Sequence, residues 1–144
     1  GSTSTPLVTS FSASSASSGM SANMLAQRHW AVAGDVLNAA KPAGRVVAAL
    51  KGQQVEGRTV ALINPRDSTG ECQKSVAAVD GPIDVLNLCI NSKSGVALLE
   101  EAADKGVKQV FIQPGAGSAE IEELAAKRGI QVFNGCVMVE LSRL

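Results

Sequence analysis

The chain predicts a single α/β domain built on a parallel sheet of five to six strands, with helices on both faces. Three observations lead there. From Arg28 onward, short apolar runs alternate with segments of helical spacing. Strands separated by single helices must cross over right-handedly, which makes neighbouring strands parallel. Aromatic residues are few (Phe11, Trp30, Phe111, Phe133), while Ala, Val, Leu and Ile dominate, as suits helices packed on a buried parallel sheet. At 144 residues the chain is long enough for a substantial core.

The elements follow in order. Residues 30–34, Trp-Ala-Val-Ala-Gly, read as the first strand, broken by Gly34. Residues 42–52 carry Val46, Val47 and Leu50 at helical spacing, with Pro42 in the first turn, where its missing N–H costs nothing. Residues 58–63 form a second strand closed by Asn64-Pro65. Residues 71–73 suggest a short edge strand, followed by a turn of helix near Val76. Residues 84–89 are the next strand, and residues 94–105 a helix with Val96, Leu98, Leu99 and Ala102 inward and Gly106 as its C-terminal cap. Residues 109–112 are a strand. Residues 118–128 are a helix with Ser118 as N-cap and Gly129 at its end, and residues 130–133 are the last strand. The whole is a Rossmann-like arrangement.

Residues 1–27 are a different material. They hold no charged side chain and are mostly Ser, Thr and Ala, so they read as a tail ahead of a domain spanning residues 28–144. Gly1-Ser2 resembles an expression scar. Residues 10–18 bury too little apolar surface to offset their ordering entropy and read as mobile. Residues 21–27 allow a short helix with Met24 and Leu25 on the domain edge. The tail also fits the remnant of an organelle transit peptide, mitochondrial or plastid, as the alternative to a cytoplasmic protein.

Thirteen basic and thirteen acidic residues cancel, which gives no broad grip on nucleic acid or membrane. No run approaches the roughly 18 apolar residues of a membrane span. Cys72, Cys89 and Cys136 lack short metal spacings, and one histidine completes no zinc site. Their odd number, with Cys89 in an apolar strand, points to a reducing compartment. His29 falls at the start of the first strand and is a poor catalytic candidate. A homodimer through an exposed apolar helix stays open, and the sequence marks no helix for it.

In such sheets ligands bind beyond the carboxyl ends of the strands. The candidate loops are therefore residues 34–36, 64–66, 91–93, 113–117 and 134–136. Gly34, Asp35 and Val36 form the entrance, where a glycine turn brings backbone N–H groups toward an anion. Lys41 and Arg66 are cations suited to phosphates, Arg being the better bidentate partner; the bland alternative is two solvated surface charges. Asn91 and Ser92 suit phosphate or ribose, or equally the local backbone. Pro114 and Gly115 permit backbone to approach a ligand, or simply turn the chain. Cys136 is the candidate nucleophile, to be weighed against a buried structural cysteine.

The motifs Ala31-Val32-Ala33-Gly34, Lys41-Pro42-Ala43, Ile63-Asn64-Pro65-Arg66, Gln113-Pro114-Gly115-Ala116 and Cys136-Val137-Met138-Val139-Glu140 occur in this order. Together they resemble the CoA-binding domain family, small standalone proteins similar to the nucleotide-binding domain of succinyl-CoA ligase alpha subunits. The resemblance covers residues 28–141. It implies a six-stranded sheet with coenzyme A across the strand ends. Asn64-Pro65-Arg66 and the first loop would face the nucleotide half, and Gln113-Pro114-Gly115 the pantetheine side.

One departure stands out. Family members read Gly-Ala-Ser where this chain reads Gly34-Asp35-Val36, so a carboxylate replaces a small residue and a valine replaces a hydroxyl donor. The loop is then rearranged with Asp35 outward, or another ligand is bound, or the site has decayed. The chain offers no second histidine, no paired carboxylates at the strand ends and no metal cluster. The leading expectation is thus a non-catalytic CoA or acyl-CoA binding protein, taking a small nucleotide ligand. Alternatives are an NAD(P)-binding sensor, though the conventional glycine fingerprint is incomplete, a degenerate domain serving as an interaction scaffold, and thiol chemistry on CoA through Cys136.

Overall fold

A computed structural model describes the backbone of residues 13–144 and the side chains from residue 19 onward. Five strands, β1 (His29–Gly34), β2 (Thr59–Ile63), β3 (Val85–Cys89), β4 (Gln109–Ile112) and β5 (Gln131–Asn134), form one all-parallel sheet in the order β2-β1-β3-β4-β5. The helices are α1 (Ala13–Leu25), α2 (Pro42–Gly52), α3 (Ser92–Lys105), α4 (Ala119–Lys127) and α5 (Val137–Ser142).

The strand order is dictated by which face each connection covers. α2, α5 and α1 lie on one face, where Val46, Val47, Leu50, Val137, Met24 and Leu25 pack over Trp30, Val32, Val85 and Phe111. α3 and α4 cover the other with Leu98, Leu99, Ala102, Ile121 and Ala125 against Leu86, Leu88, Val110 and Ile112. Each fully buried aliphatic side chain of this kind contributes roughly 1.5–3 kcal/mol. Right-handed crossovers on opposite faces carry the chain away from β1 in one direction and from β3 in the other. The carboxyl ends of β1 and β3 therefore part, and a crevice opens between them.

Several elements differ from the sequence reading. The expected sixth strand is a single parallel bridge, Ile63 to Gln73. The region near Val76 forms a turn, Val79 N–H donating to Val76 O at 3.1 Å, rather than helix. This crossover holds its place by burying Val76, Val79 and Ile83 in the α3–α4 core. Side chains of α3 tie it down: Glu101 Oε1 accepts from Val76 N–H at 2.7 Å, and Lys105 Nζ donates to Val79 O at 2.8 Å. α3 starts at Ser92, because Asn91 serves as its N-cap, accepting from Ser94 N–H. α5 was not foreseen.

Within the segment read as a tail, α1 begins at Ala13, so residues 13–18 are helical, and residues 1–12 lie outside the described part. Met24 and Leu25 are fully buried, as expected. Ser21 Oγ also donates to Glu140 Oε1 of α5 at 2.9 Å. Among the described residues no helix is long and apolar enough to cross a membrane.

Candidate functional site

Gly34 ends β1 directly beside Cys89, the end of β3. Its φ is +144°, and a Cβ there would come within 2.2 Å of the Cys89 carbonyl oxygen. Only glycine lets the two strand ends approach so closely before they diverge. Residues 35–41 then fold back on α2, and the Asn38 carbonyl sits where a Cβ on Gly44 would be, 2.1 Å away. The loop is thus packed against the first turn of the helix it feeds.

Over these strand ends runs a cleft in two contiguous parts. The first, about 390 Å³, is lined by Asp35, Lys41, Pro42, Ala43, Cys89, Ile90, Asn91, Pro114, Gly115 and Ala116. The second, about 430 Å³, is lined by Gly34, Asp35, Asn64, Pro65, Arg66, Cys89, Ile90, Asn91 and Ser94. Nine of the residues singled out from sequence meet here: Gly34, Asp35, Lys41, Asn64, Pro65, Arg66, Asn91, Pro114 and Gly115. Four do not.

Val36 is turned into the core and 5 % exposed, because the loop is anchored by burying it on the α2 face. Gln113 is also buried, its Oε1 accepting from Val137 N–H at 2.7 Å, so it clamps the start of α5 instead of facing a ligand. Ser92 is replaced in the lining by Ser94; two positions round a helix turn a side chain by about 200°. Cys136 occupies the N-cap of α5, where its side chain makes no capping bond, and it lines neither part.

The thiol that lines both parts is Cys89, read from sequence as core. Burial, and then the nearby Cys136, push its pKa above the ordinary thiol value. It is accordingly a protonated wall of the cleft at neutral pH and a weak nucleophile. Ile90 was missed as well, since an apolar residue beside a turn carries no chemical signature, and its position next to the loop at 91–93 was the only signal; Pro42, Ala43 and Ala116 stood in the motifs without being given a role.

The electrostatics are simple. Lys41 lines the first part and Arg66 the second, both exposed, and neither side chain has a hydrogen-bond or ion-pair partner among the described residues. α2 begins in the first part, and its N-cap, Lys41, supplies no capping bond, which leaves the positive end of that helix available to an anion. α3 begins between the two parts at Asn91. The loop bearing Arg66 is held by Asp67, whose buried carboxylate accepts from Thr69 Oγ1 at 2.7 Å, Gly70 N–H at 2.9 Å and Cys72 N–H at 3.3 Å. The Thr69 hydroxyl above all, joined by these backbone donors, draws the Asp67 carboxyl below its usual pKa. His29 sits at the far end of β1, its Nδ1 paired with Thr59 Oγ1 at 2.9 Å, and takes no part in the cleft.

A cleft with a cation in each part, set over two helix starts, suits an elongated ligand that carries phosphate. Comparison with known proteins bears on the fold and on the family. Solved structures with this fold include a hypothetical protein from Pyrococcus horikoshii OT3 (24 % identity, covering 88 % of this chain and 91 % of the other, TM-score 0.78). Another is a conserved hypothetical protein from Pyrococcus furiosus (29 %, 79 % and 99 %, TM-score 0.67). A protein from Thermus thermophilus is similar as well (24 %, 88 % and 97 %, TM-score 0.73). No curated protein matches the chain. A family model described as a CoA binding domain matches residues 28–142, nearly the whole described sheet and its helices, and the chain therefore belongs to the CoA binding domain family.

Proposed function

We propose that this protein binds coenzyme A or an acyl-CoA across the strand ends and performs no chemistry of its own on it. The observation that carries the reading is the two-part cleft with an unpartnered cation in each part, in a chain of the CoA binding domain family. Arg66 with Asn64-Pro65 takes the nucleotide end, and its guanidinium offers phosphate two parallel donors. The first part, with Pro114-Gly115, Ile90 and Ala116, offers the more apolar path that a pantetheine chain needs. Lys41 and the start of α2 attract an anionic group between them. Cys89 faces this path as a thiol, which favours containment of the ligand over attack on it.

The test is a thermal-shift panel with CoA, acetyl-CoA, NAD and NADP. A ligand confined to the native state adds about 2.7 kcal/mol of stability at a hundredfold excess over its Kd, several degrees of Tm for a domain of this size. CoA and acetyl-CoA are expected to raise Tm, and NAD and NADP to do so less. Absence of any shift with millimolar CoA and acetyl-CoA would overturn the reading.

A further inference from the structure

Among the described residues Asp35 is the only acidic one lining the cleft, and it lines both parts. Its carboxylate has no hydrogen-bond or ion-pair partner among the described residues. The loop leaves it little choice of direction. Gly34 is fixed by its contact with the Cys89 carbonyl, Val36 is buried, and Asn38 N–H donates to the Asp35 carbonyl at 3.3 Å. With Val36 committed to the core, the preceding side chain is left on the cleft side. The charge pattern along the cleft is thus a cation at Lys41, an anion at Asp35 and a cation at Arg66.

A ligand matching this pattern sets its phosphate against a cation and hydrogen-bond donors against Asp35. A carboxylate only accepts hydrogen bonds, so a phosphate set against it gains nothing and is repelled. A ribose with both hydroxyls free supplies two donors at the spacing of one carboxylate, the arrangement by which acidic residues hold ribose in dinucleotide folds. We infer that Asp35 is the specificity-determining residue of the cleft, selecting a nucleotide whose ribose hydroxyls are unphosphorylated over one carrying a ribose phosphate. The inference rests on the CoA-type reading above and sharpens it: the 3′-dephosphorylated form of the coenzyme is the preferred ligand.

Calorimetric titration of the wild-type protein, Asp35→Asn and Asp35→Ala with CoA and with dephospho-CoA tests this. The two ligands differ only in the ribose phosphate, and Tm measurements confirm that each variant is folded. The wild type is expected to bind dephospho-CoA about tenfold more tightly than CoA. Asp35→Asn removes the charge and should bring the two within about twofold, chiefly by gain of CoA affinity. Asp35→Ala also removes the acceptor and should weaken dephospho-CoA about fivefold. Equal wild-type affinities, a preference for CoA, or a preference that survives in Asp35→Asn would overturn the inference while leaving the CoA-type reading intact. Binding of neither ligand to the wild type would overturn both.

Discussion

The two edges of the sheet carry similar polar residues and use them in opposite ways. At the amino edge Arg58 and Asp84, which flank β1, are spent on the fold. Arg58 donates to Leu25 O at 2.7 Å, to Gln27 O and Leu50 O at 3.0 Å each, and to Gln53 Oε1 at 3.0 Å, closing the carboxyl ends of α1 and α2. It also lies 6.0 Å over the Trp30 ring, and burial lowers its pKa from the usual value. Asp84 Oδ2 accepts from His29 N–H at 3.0 Å. At the carboxyl edge Lys41, Arg66 and Asp35 have no such partners among the described residues. A charge tied into backbone groups is structure, whereas three unpartnered charges gathered over one crevice are the means of holding something else.

Substitutions can break this contrast. The largest effect is expected at Gly34, the hinge of the carboxyl edge. Gly34→Ala forces a Cβ against the Cys89 carbonyl at a φ that suits glycine, and should cost about 3 kcal/mol in denaturant unfolding. A loss below half of that would mean the strand ends separate easily.

Next come the two arginines, compared directly. Arg58→Ala removes a donor from three backbone carbonyls, of which Leu50 O keeps its bond from Gln53 N–H, and should destabilise by about 2 kcal/mol. Arg66→Ala should change stability by no more than about 0.5 kcal/mol, yet weaken CoA about tenfold, as loss of a phosphate partner does. A destabilised Arg66→Ala with unchanged ligand affinity would erase the distinction between the edges.

The smallest effect concerns Asp67, which positions the Arg66 loop from beneath. Its pKa is lowered on folding, so the stability it contributes is present above the unfolded-state value near 4 and is lost as pH falls through its lowered folded value. The stability difference between wild type and Asp67→Asn should accordingly be constant from about pH 8 to 5 and shrink in more acidic solution. A difference independent of pH down to the acid limb would show that the carboxylate charge is irrelevant to the loop.

The fold was legible to the extent that its signals are local. Ser118 accepts from Ile121 N–H as an N-cap, Gly106 takes a left-handed φ of 92° after α3, and Pro42 opens α2, each as the sequence indicates. The loops of the site were found for the same reason, because any residue just past a strand of a parallel sheet reaches the same edge. What failed was the direction of individual side chains. Val36, Gln113 and Ser92 are in those loops and still miss the cleft, as does Cys136, whereas Cys89 packs against the core as expected and also lines the cleft.

The sequence by itself determined that strands and helices alternate, where they are capped, and that an acidic residue follows the first glycine turn. Those features rest on periodicity and on backbone preferences that neighbours in the chain set. Only the tertiary structure decided that β1 and β3 lie side by side and part at Gly34 and Cys89, that Val36 rather than Asp35 enters the core, and that Arg58 serves the fold while Arg66 faces the cleft. These depend on which distant surfaces meet, because a buried side chain takes the place that packing leaves it, and its neighbour in the loop is turned the other way.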